Sequence, residues 1–433
     1  MKKNLSLVFA ILLALSWYIS FDTYYGVPKE FEEHMEQAEA YEKKEIYEDA
    51  ISEYEKAQAC LQNRDIDIDL KIAADYLSMD EENDYVNKME SIIDSYETNE
   101  KAVIELCDYY VKNDKVSKAV QILRKENEKQ PDNQKINEAL DGLKGTYTTI
   151  YATYLEMTRI QAGYAAVRTQ DGWGIIDSDG TALINTVYEK AGVFGEKIEL
   201  APLCKNGNWF YVNSDEHKKL VPDEKYEFLD TFSEGMAVAC LDGKYGYLDD
   251  ALEQQCKFEY ESVSSFFNHV AAVKKDGKWA IINDKFQFIT DFQYENVAMD
   301  EFGYCSIGER IFVKRDGKYQ IIDLEGNVIS DLKFDDAYPF MQDGQLAAVK
   351  NGDKWGFVNK NGELCIDYRY ENAKSFTLEF APVQLMDCWG YIDPKDKMVI
   401  PCQFDDATEF YKDGTAAVKS VDQWHMIKLN IYQ

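Results

Sequence analysis

The chain has 433 residues, 45% of them apolar, a content that can fill real cores and excludes wholesale disorder, and its length predicts two or three domains. Against 47 basic residues stand 79 acidic ones, for a net charge of −32. Such a field repels polyphosphate, and no Lys/Arg-rich run interleaved with aromatics offsets it, so the sequence argues against nucleic acid and for cations or basic partners. Thirty Tyr, 22 Phe and seven Trp, with only eight Pro, favour strands. The nine cysteines (Cys60, Cys107, Cys204, Cys240, Cys256, Cys305, Cys365, Cys388, Cys402) form no C-x-x-C pair, and an odd total leaves at least one unpaired, so neither a disulfide framework nor a zinc site is read.

Residues 2–21 begin with Lys2 and Lys3 and continue as a mostly apolar run from Leu5 to Phe21, near the lower length limit for crossing a bilayer. Ala14 and Ser16 offer a cleavage site, but the run continues through Trp17, Tyr18 and Ile19, which favours an uncleaved signal anchor over a secreted, processed chain. Trp17, Tyr18, Tyr24 and Tyr25 then form an interfacial aromatic belt, Lys2 and Lys3 stay on the cytoplasmic side, and the bulk of the chain lies outside the membrane.

From about Pro28 to Gly145, apolar positions recur at three- and four-residue steps, which predicts paired helices. A period of about 34 residues relates Tyr41, Ala50, Tyr54 and Ala57 to Tyr76, Tyr85, Met89 and Ile92, and then to Tyr110, Ala119 and Leu123 before Pro131. The pattern resembles the tetratricopeptide repeat, with residues 132–144 as a capping helix ended by Gly145. Residues 22–145 hold 32 acids and 16 bases, so the helices carry the densest charge and are expected either to grip a basic or extended peptide or to act as a spacer.

Beyond Gly145 the period changes to two. An aromatic followed by β-favouring residues returns at Trp173, Trp209, Tyr245, Trp279, Tyr319, Trp355, Trp389 and Trp424, at spacings of 34 to 40 residues. Eight residues before it stands Ala in seven copies, Ile311 being the exception, and six before it Val, Leu or Ala; this is one face of a strand. Just before the aromatic come turn residues, including Asp171-Gly172, Asp242-Gly243, Asp276-Gly277 and Asp316-Gly317, the chemistry of a tight hairpin. After it come adjacent apolar residues such as Ile175-Ile176 or Tyr391-Ile392, which predict a strand covered on both faces, and then Asp or Asn in seven copies. A further motif, aromatic-acid-x-x-x-x-aromatic, runs from Tyr188-Glu189 with Phe194 to Phe404-Asp405 with Phe410; Tyr294-Glu295 keeps only its first half.

Together with Trp-Gly at 173, 355 and 389 and Tyr-Gly at 245, these motifs resemble the bacterial WG-repeat family over about Tyr147 to Leu429. The resemblance implies a β-rich repeat and no assigned chemistry. Phe210, Ala280, Gln320 and His425 replace the Gly, which puts close backbone approach there in doubt. Eight stacked units suit a β-propeller, with an open β-solenoid-like array as the alternative. Leu155 in place of an acid and Lys428 in place of Asp or Asn make the end copies look like caps of such an open array.

No G-x-S-x-G elbow, H-E-x-x-H pair or phosphate-binding loop occurs. His34, His217, His269 and His425 read as turn or surface residues, Asp177-Ser178-Asp179-Gly180 as a turn more than a calcium loop, and the β-region cysteines as small buried hydrophobes. The eight recurring aromatics read as core and not as sugar-stacking platforms. The sequence therefore describes a multidomain α plus β chain: a signal anchor over 1–27, tetratricopeptide-like helices over 28–145, and an eight-copy β-repeat domain over 146–433. Its expected role is that of a membrane-anchored, extracytoplasmic interaction protein without catalytic residues, cofactor or metal, taking protein partners with basic segments. A carbohydrate or cell-wall glycan module is the alternative, and an enzyme with an unrecognised site the second alternative.

Overall fold

The computed structural model describes residues 27–215 and 219–432, and the chain divides between Leu143 and Lys144 into two compact units. The apolar run of residues 5–21, and His217, lie outside the described residues. Among those described, no helix is long and apolar enough to cross a membrane.

The first unit contains seven helices among the described residues: α1 (Val27–Glu42), α2 (Tyr47–Ala59), α3 (Ile66–Ser78), α4 (Glu82–Ser95), α5 (Glu100–Lys112), α6 (Val116–Lys129) and α7 (Gln134–Leu143). The recurring tyrosines explain the period. Tyr41, Tyr76 and Tyr110 sit in the last turn of the first helix of each pair, and each carbonyl accepts the amide five residues on, from Ile46, Glu81 and Lys115, at 2.8–3.0 Å. That bond closes a Schellman-type turn, and it requires a left-handed residue, supplied by Glu45, Asp80 and Asp114. The chain thus reverses at a fixed distance from each Tyr, bringing Ala50, Ala57, Met89, Ala119 and Leu123 into full burial on the second helix. Tyr85, which replaces the small residue in the second pair, is accommodated edge-on against Tyr109, with ring centroids 4.8 Å apart.

Buried charge in this unit is unevenly compensated. Asp69 accepts hydrogen bonds from Arg64, Lys88 and Tyr96 at 2.6–3.2 Å, and these outweigh the cost of burial, so its carboxyl titrates below the usual range. Asp75 has no such partner for Oδ2; burial first, and then Glu42, push its carboxyl up to about 7.

The second unit consists of eight antiparallel sheets of three or four strands. Each begins with a two-residue inner strand, such as Glu156–Met157 or Phe228–Leu229, followed by the Ala/Val strand, the strand that opens on the signature aromatic, and an outer segment. We number these blades 1 to 8 by their inner strands. In blade 8 the fourth strand comes from the other end of the domain: Tyr147–Tyr154 pairs antiparallel with Gln423–Leu429. The first and last blades also pack on each other, Met157, Ile160 and Ile176 against Ala417 and Met426. The array is therefore a closed eight-bladed propeller. Leu155 and Lys428 do not cap an open array; Lys428 lies within the closing strand pair, opposite Thr148 and with Nζ 2.9 Å from Asp179, and Leu155 directly follows that pair.

Each recurring motif has a local cause. The two residues before the signature strand form a two-residue hairpin in seven blades, six of them with both residues at positive φ, as at Asn206-Gly207 and Asp242-Gly243. Asp171-Gly172 is the exception: Arg168 pairs with Trp173, which leaves a four-residue loop. In the same seven blades the motif acid returns to this hairpin. Glu227 accepts the amide of Gly243 at 3.0 Å, Asp335 that of Gly352 at 2.8 Å, and Glu189, Glu261, Glu295, Glu371 and Asp405 do likewise at 2.8–3.3 Å. Blade 1, with Leu155 at the acid position, is the blade whose loop is longer. The aromatic before the acid pairs across strands with the signature aromatic, Trp355 with Tyr370 and Trp389 with Phe404 among them. Gly after the aromatic admits the outer strand: a Cβ on Gly174, Gly356 or Gly390 would stand 2.3–2.6 Å from a carbonyl oxygen of that strand, and these three blades keep a seven-residue outer strand.

Gly145 does not end α7 with a left-handed residue; it is required because a Cβ there would lie 2.0 Å from the Val399 carbonyl. Among the signature aromatics, Trp209, Trp279, Tyr319, Trp355 and Trp389 are buried, while Trp173, Tyr245 and Trp424 are half-buried. Cys365 is exposed, against the expectation of burial, because it occupies the outer strand of blade 6.

Trp355→Ala should lower stability by about 3–5 kcal/mol, the usual range for a buried large aromatic, measurable by denaturant unfolding. Asp75 is protonated more readily folded than unfolded, so its burden on stability is absent below pH ~4 and grows until about pH 7. Asp75→Asn should accordingly raise the melting temperature at pH 8 and make no difference at pH 4.

Candidate functional site

Between the inner strand and the Ala/Val strand of every blade, the chain turns towards the propeller axis. These eight turns wall a cavity of ≈ 360 Å³. Ile160, Ile198, Ile307, Met341 and Leu378 supply apolar walls, Phe267 and Tyr411 rings, and Glu196, Lys197, Asp343 and Lys412 a charged lip. Hydrogen bonds between neighbouring blades fix the turns: Ser233 Oγ donates to the Phe266 carbonyl at 2.6 Å, Ser306 Oγ to Phe267 at 2.7 Å, and Thr231 Oγ1 to Val193 at 2.8 Å.

At the base of the cavity an ion pair crosses the axis. Arg159, in blade 1, is bonded through Nη2 to Asp300 of blade 5, the blade directly opposite; its amide donates to Glu301 Oε1 at 2.7 Å, and its guanidinium lies 4.7 Å from the centroid of the Phe302 ring. Asp300 also accepts the amides of Phe302 and Tyr304 at 3.0 and 2.8 Å, which folds its own loop. Six other blades place Phe at this position of the motif and blade 1 places Ile160, so Asp300 is the departure that makes room for the guanidinium.

More acids surround the pair than it neutralises. Burial raises the carboxyls of Asp300 and Glu301 despite Arg159, and raises that of Asp230 to about 6. Glu301 keeps 40% of its side chain exposed beside the cavity-lining Arg159, whose amide it accepts. Glu409 is buried, with Oε1 lacking any hydrogen-bond partner.

No motif in the sequence marks this constellation, whose only trace there is negative, the missing aromatic after Tyr294-Glu295. The signature residues Trp173, Trp209, Tyr245, Trp279, Tyr319, Trp355, Trp389 and Trp424 hold the blades and line none of the cavity. Among the histidines, His34 Nδ1, in the helical unit, meets Glu53 at 2.6 Å, and His269, next to the cavity-lining Asn268 but not lining the cavity itself, meets Asp284 through Nδ1 at 3.1 Å, while burial lowers His425. Asp177 is engaged by its own turn, accepting the amides of Asp179 and Thr181 at 3.0 and 2.7 Å, and Asp249, Asn283, Asp323, Asn359 and Asp393 repeat the arrangement. Among the described residues no group of three or more His, Cys, Asp or Glu is placed to hold a metal ion.

Residues 173–209, 218–245, 257–279, 321–355, 355–385 and 389–424 match the WG containing repeat, so the propeller is a WG-containing repeat domain. Arg159 and Asp300 both fall outside the matched segments. No curated protein matches the chain. Similar solved structures include the WD40 domain of SCAP from fission yeast (8% identity, TM-score 0.40, 66% of this chain and 99% of that one) and a eukaryotic initiation factor (12%, 0.39, 63% and 83%). Hsv2 of Kluyveromyces lactis is a third (8%, 0.36, 64% and 97%). At these scores none of them bears on the ligand.

Removing one partner of a buried pair leaves an uncompensated charge, which costs about 3–5 kcal/mol. Arg159→Leu should therefore destabilise strongly at pH 7 and less as the pH falls and the abandoned carboxyls take up protons. Asp300→Phe combined with Arg159→Leu should recover much of the loss, because Phe is the residue other blades use there. Urea unfolding of the two single variants and the double variant measures this.

Proposed function

We propose that the chain is a non-catalytic binding and scaffolding protein that holds a protein partner at the mouth of the propeller channel. The observation that carries this reading is the division of labour within each blade. Strand faces, hairpins and outer aromatics repeat from blade to blade, whereas the eight turns that wall the cavity differ in sequence and are fixed by a rigid frame, the usual arrangement of a recognition surface. The glycan alternative loses its motive, since the recurring aromatics are engaged in the blades.

The acidic helical hairpins supply a second surface, whose charge supports attraction of a basic segment that weakens as salt shortens the Debye length. Membrane attachment is part of the same proposal and is supported by the apolar run of residues 5–21 after Lys2 and Lys3. Chain recovered in the soluble fraction with an N-terminus near Trp17 would make it a secreted protein instead.

A photo-crosslinking residue placed at the exposed lip position Gln342 should capture a polypeptide in cells. The same probe at Tyr151, 89% exposed on the closing strand, should not. Capture at Tyr151 with none at Gln342 would move the partner surface away from the channel.

A further inference from the structure

The chemistry of the channel mouth specifies what a partner inserts there. At ≈ 360 Å³ the cavity is at the small end for ligand sites and fits one or two side chains. Around and beneath it four carboxyl groups gather: Asp300 and Glu301 meet Arg159, with Lys374 as a further cation acting on Glu301, Asp230 accepts from the Thr231 amide and the Ser265 hydroxyl at 2.8 and 3.2 Å, and Glu409 is buried. Arg159 is already shared between Asp300 and Glu301, and Lys374 Nζ is engaged at 2.7 Å by the Ala407 carbonyl and lies 3.7 Å from Asp406. The lumen is therefore short of positive charge.

Hydrogen bonding points the same way. Thr377, which lines the cavity and is 8% exposed, has a buried hydroxyl without a partner. Gln161 donates through Nε2 to Tyr304 at 2.9 Å, which leaves Oε1 as an unpartnered buried acceptor in the same wall, and Glu409, next in the chain to the cavity-lining Phe410 and 3% exposed, has another in Oε1. Gln161 Oε1 and Glu409 Oε1 can only accept and so lack an N–H or O–H group, and the Thr377 hydroxyl is able to accept one; Arg159 Nε, an unpartnered donor in the wall, lies 3.7 Å from Glu301 Oε1. An anion would meet the carboxylates of the lumen, and an apolar side chain would leave the acceptors unsatisfied. The lip lysines do not reverse this balance. Lys412 lies over the Tyr411 ring at 5.4 Å in the field of Glu196 and Asp413, and the lip acids Glu196, Glu234 and Asp343 outnumber Lys197 and Lys412.

We propose that the channel mouth binds a basic side chain, an arginine or lysine projecting from the partner polypeptide, with its aliphatic stem along Ile160, Ile198, Ile307 and Leu378 and its N–H donors supplied to Thr377, Gln161 and the wetted carboxylate of Glu301. Long cationic side chains suit such a site because an apolar stem carries a charged head past the lip. The proposal rests on the reading of the mouth as the partner surface and narrows it to one chemistry.

Calorimetric titration of the full chain with acetyl-Gly-X-Gly-amide peptides tests it, with X as arginine, lysine, citrulline or leucine. Citrulline keeps the shape of arginine without the charge. Arginine and lysine peptides should bind at least about tenfold more tightly than citrulline, the effect of one charged hydrogen bond, and leucine should bind least. Glu301→Gln and Thr377→Val should each weaken the arginine peptide by about threefold to thirtyfold. Thr377→Val should melt no lower than the parent, because it removes an unsatisfied hydroxyl, so weaker binding would not reflect misfolding. Equal affinity for citrulline and arginine, indifference to Glu301→Gln, or no binding by any peptide would overturn the proposal. Crosslinking from Gln342 would still report separately on whether the mouth is a partner surface at all.

Discussion

The pairing of Tyr147–Tyr154 with Gln423–Leu429 is the interaction on which the propeller depends. A linear stack of eight blades would expose an apolar face at each end and leave a strand edge open to other chains. Closure buries both: Met157, Ile160 and Ile176 meet Ala417 and Met426, and the last blade gains its fourth strand from the start of the domain. Closure also creates the channel. Only a ring sets blade 1 opposite blade 5, so Arg159 and Asp300, 141 residues apart, become neighbours.

The cost of that arrangement explains why the rest of the frame is so regular. A buried guanidinium with several carboxylates contributes little net stability and can be replaced by apolar packing without loss in many proteins. The frame must tolerate it, and does so through hairpins held by the motif acids, hydrogen bonds between neighbouring blades, and the hydroxyls of Tyr211, Tyr247 and Tyr391, which donate to carbonyls of the next blade at 2.6–2.8 Å. The turns that wall the channel differ in sequence from blade to blade. The repeated frame thus lies in strands and hairpins, and the surface proposed for recognition lies in the turns between them.

Much of this was legible in the sequence because it is local. The Tyr-to-small spacing of the helical pairs follows from a turn closed by the Tyr carbonyl, and Asp242-Gly243, Asp276-Gly277 and Asp316-Gly317 are hairpins whose two-residue length fixes the register, whereas Asp171-Gly172 belongs to a longer loop. The motif acid was visible as a pattern, but its role required knowing that the hairpin folds back over it. Ring and open array remained undecided because one blade is assembled from both ends of the domain, so Leu155 and Lys428 look irregular when each end is read alone. The channel cluster was invisible for a related reason. Nothing in the 141 residues between Arg159 and Asp300 marks them as partners; only the replacement of an expected aromatic by Asp300 signalled that blade 5 differs.

Hydrogen exchange at the closing strand tests the closed ring most directly. Ile150 pairs with Met426, Thr149 with Ile427 and Thr148 with Lys428. If the ring is closed, the amides of residues 426–429 and those of Thr148 and Ile150, which face the last strand, should be protected to the same degree as those of the interior strands Lys354–Asn359 and Cys388–Ile392, while Thr149, on the outer edge, exchanges in either case. Rapid exchange of Thr148 and Ile150 and of every second amide over 426–429, with the interior strands still protected, would contradict closure and leave an open array.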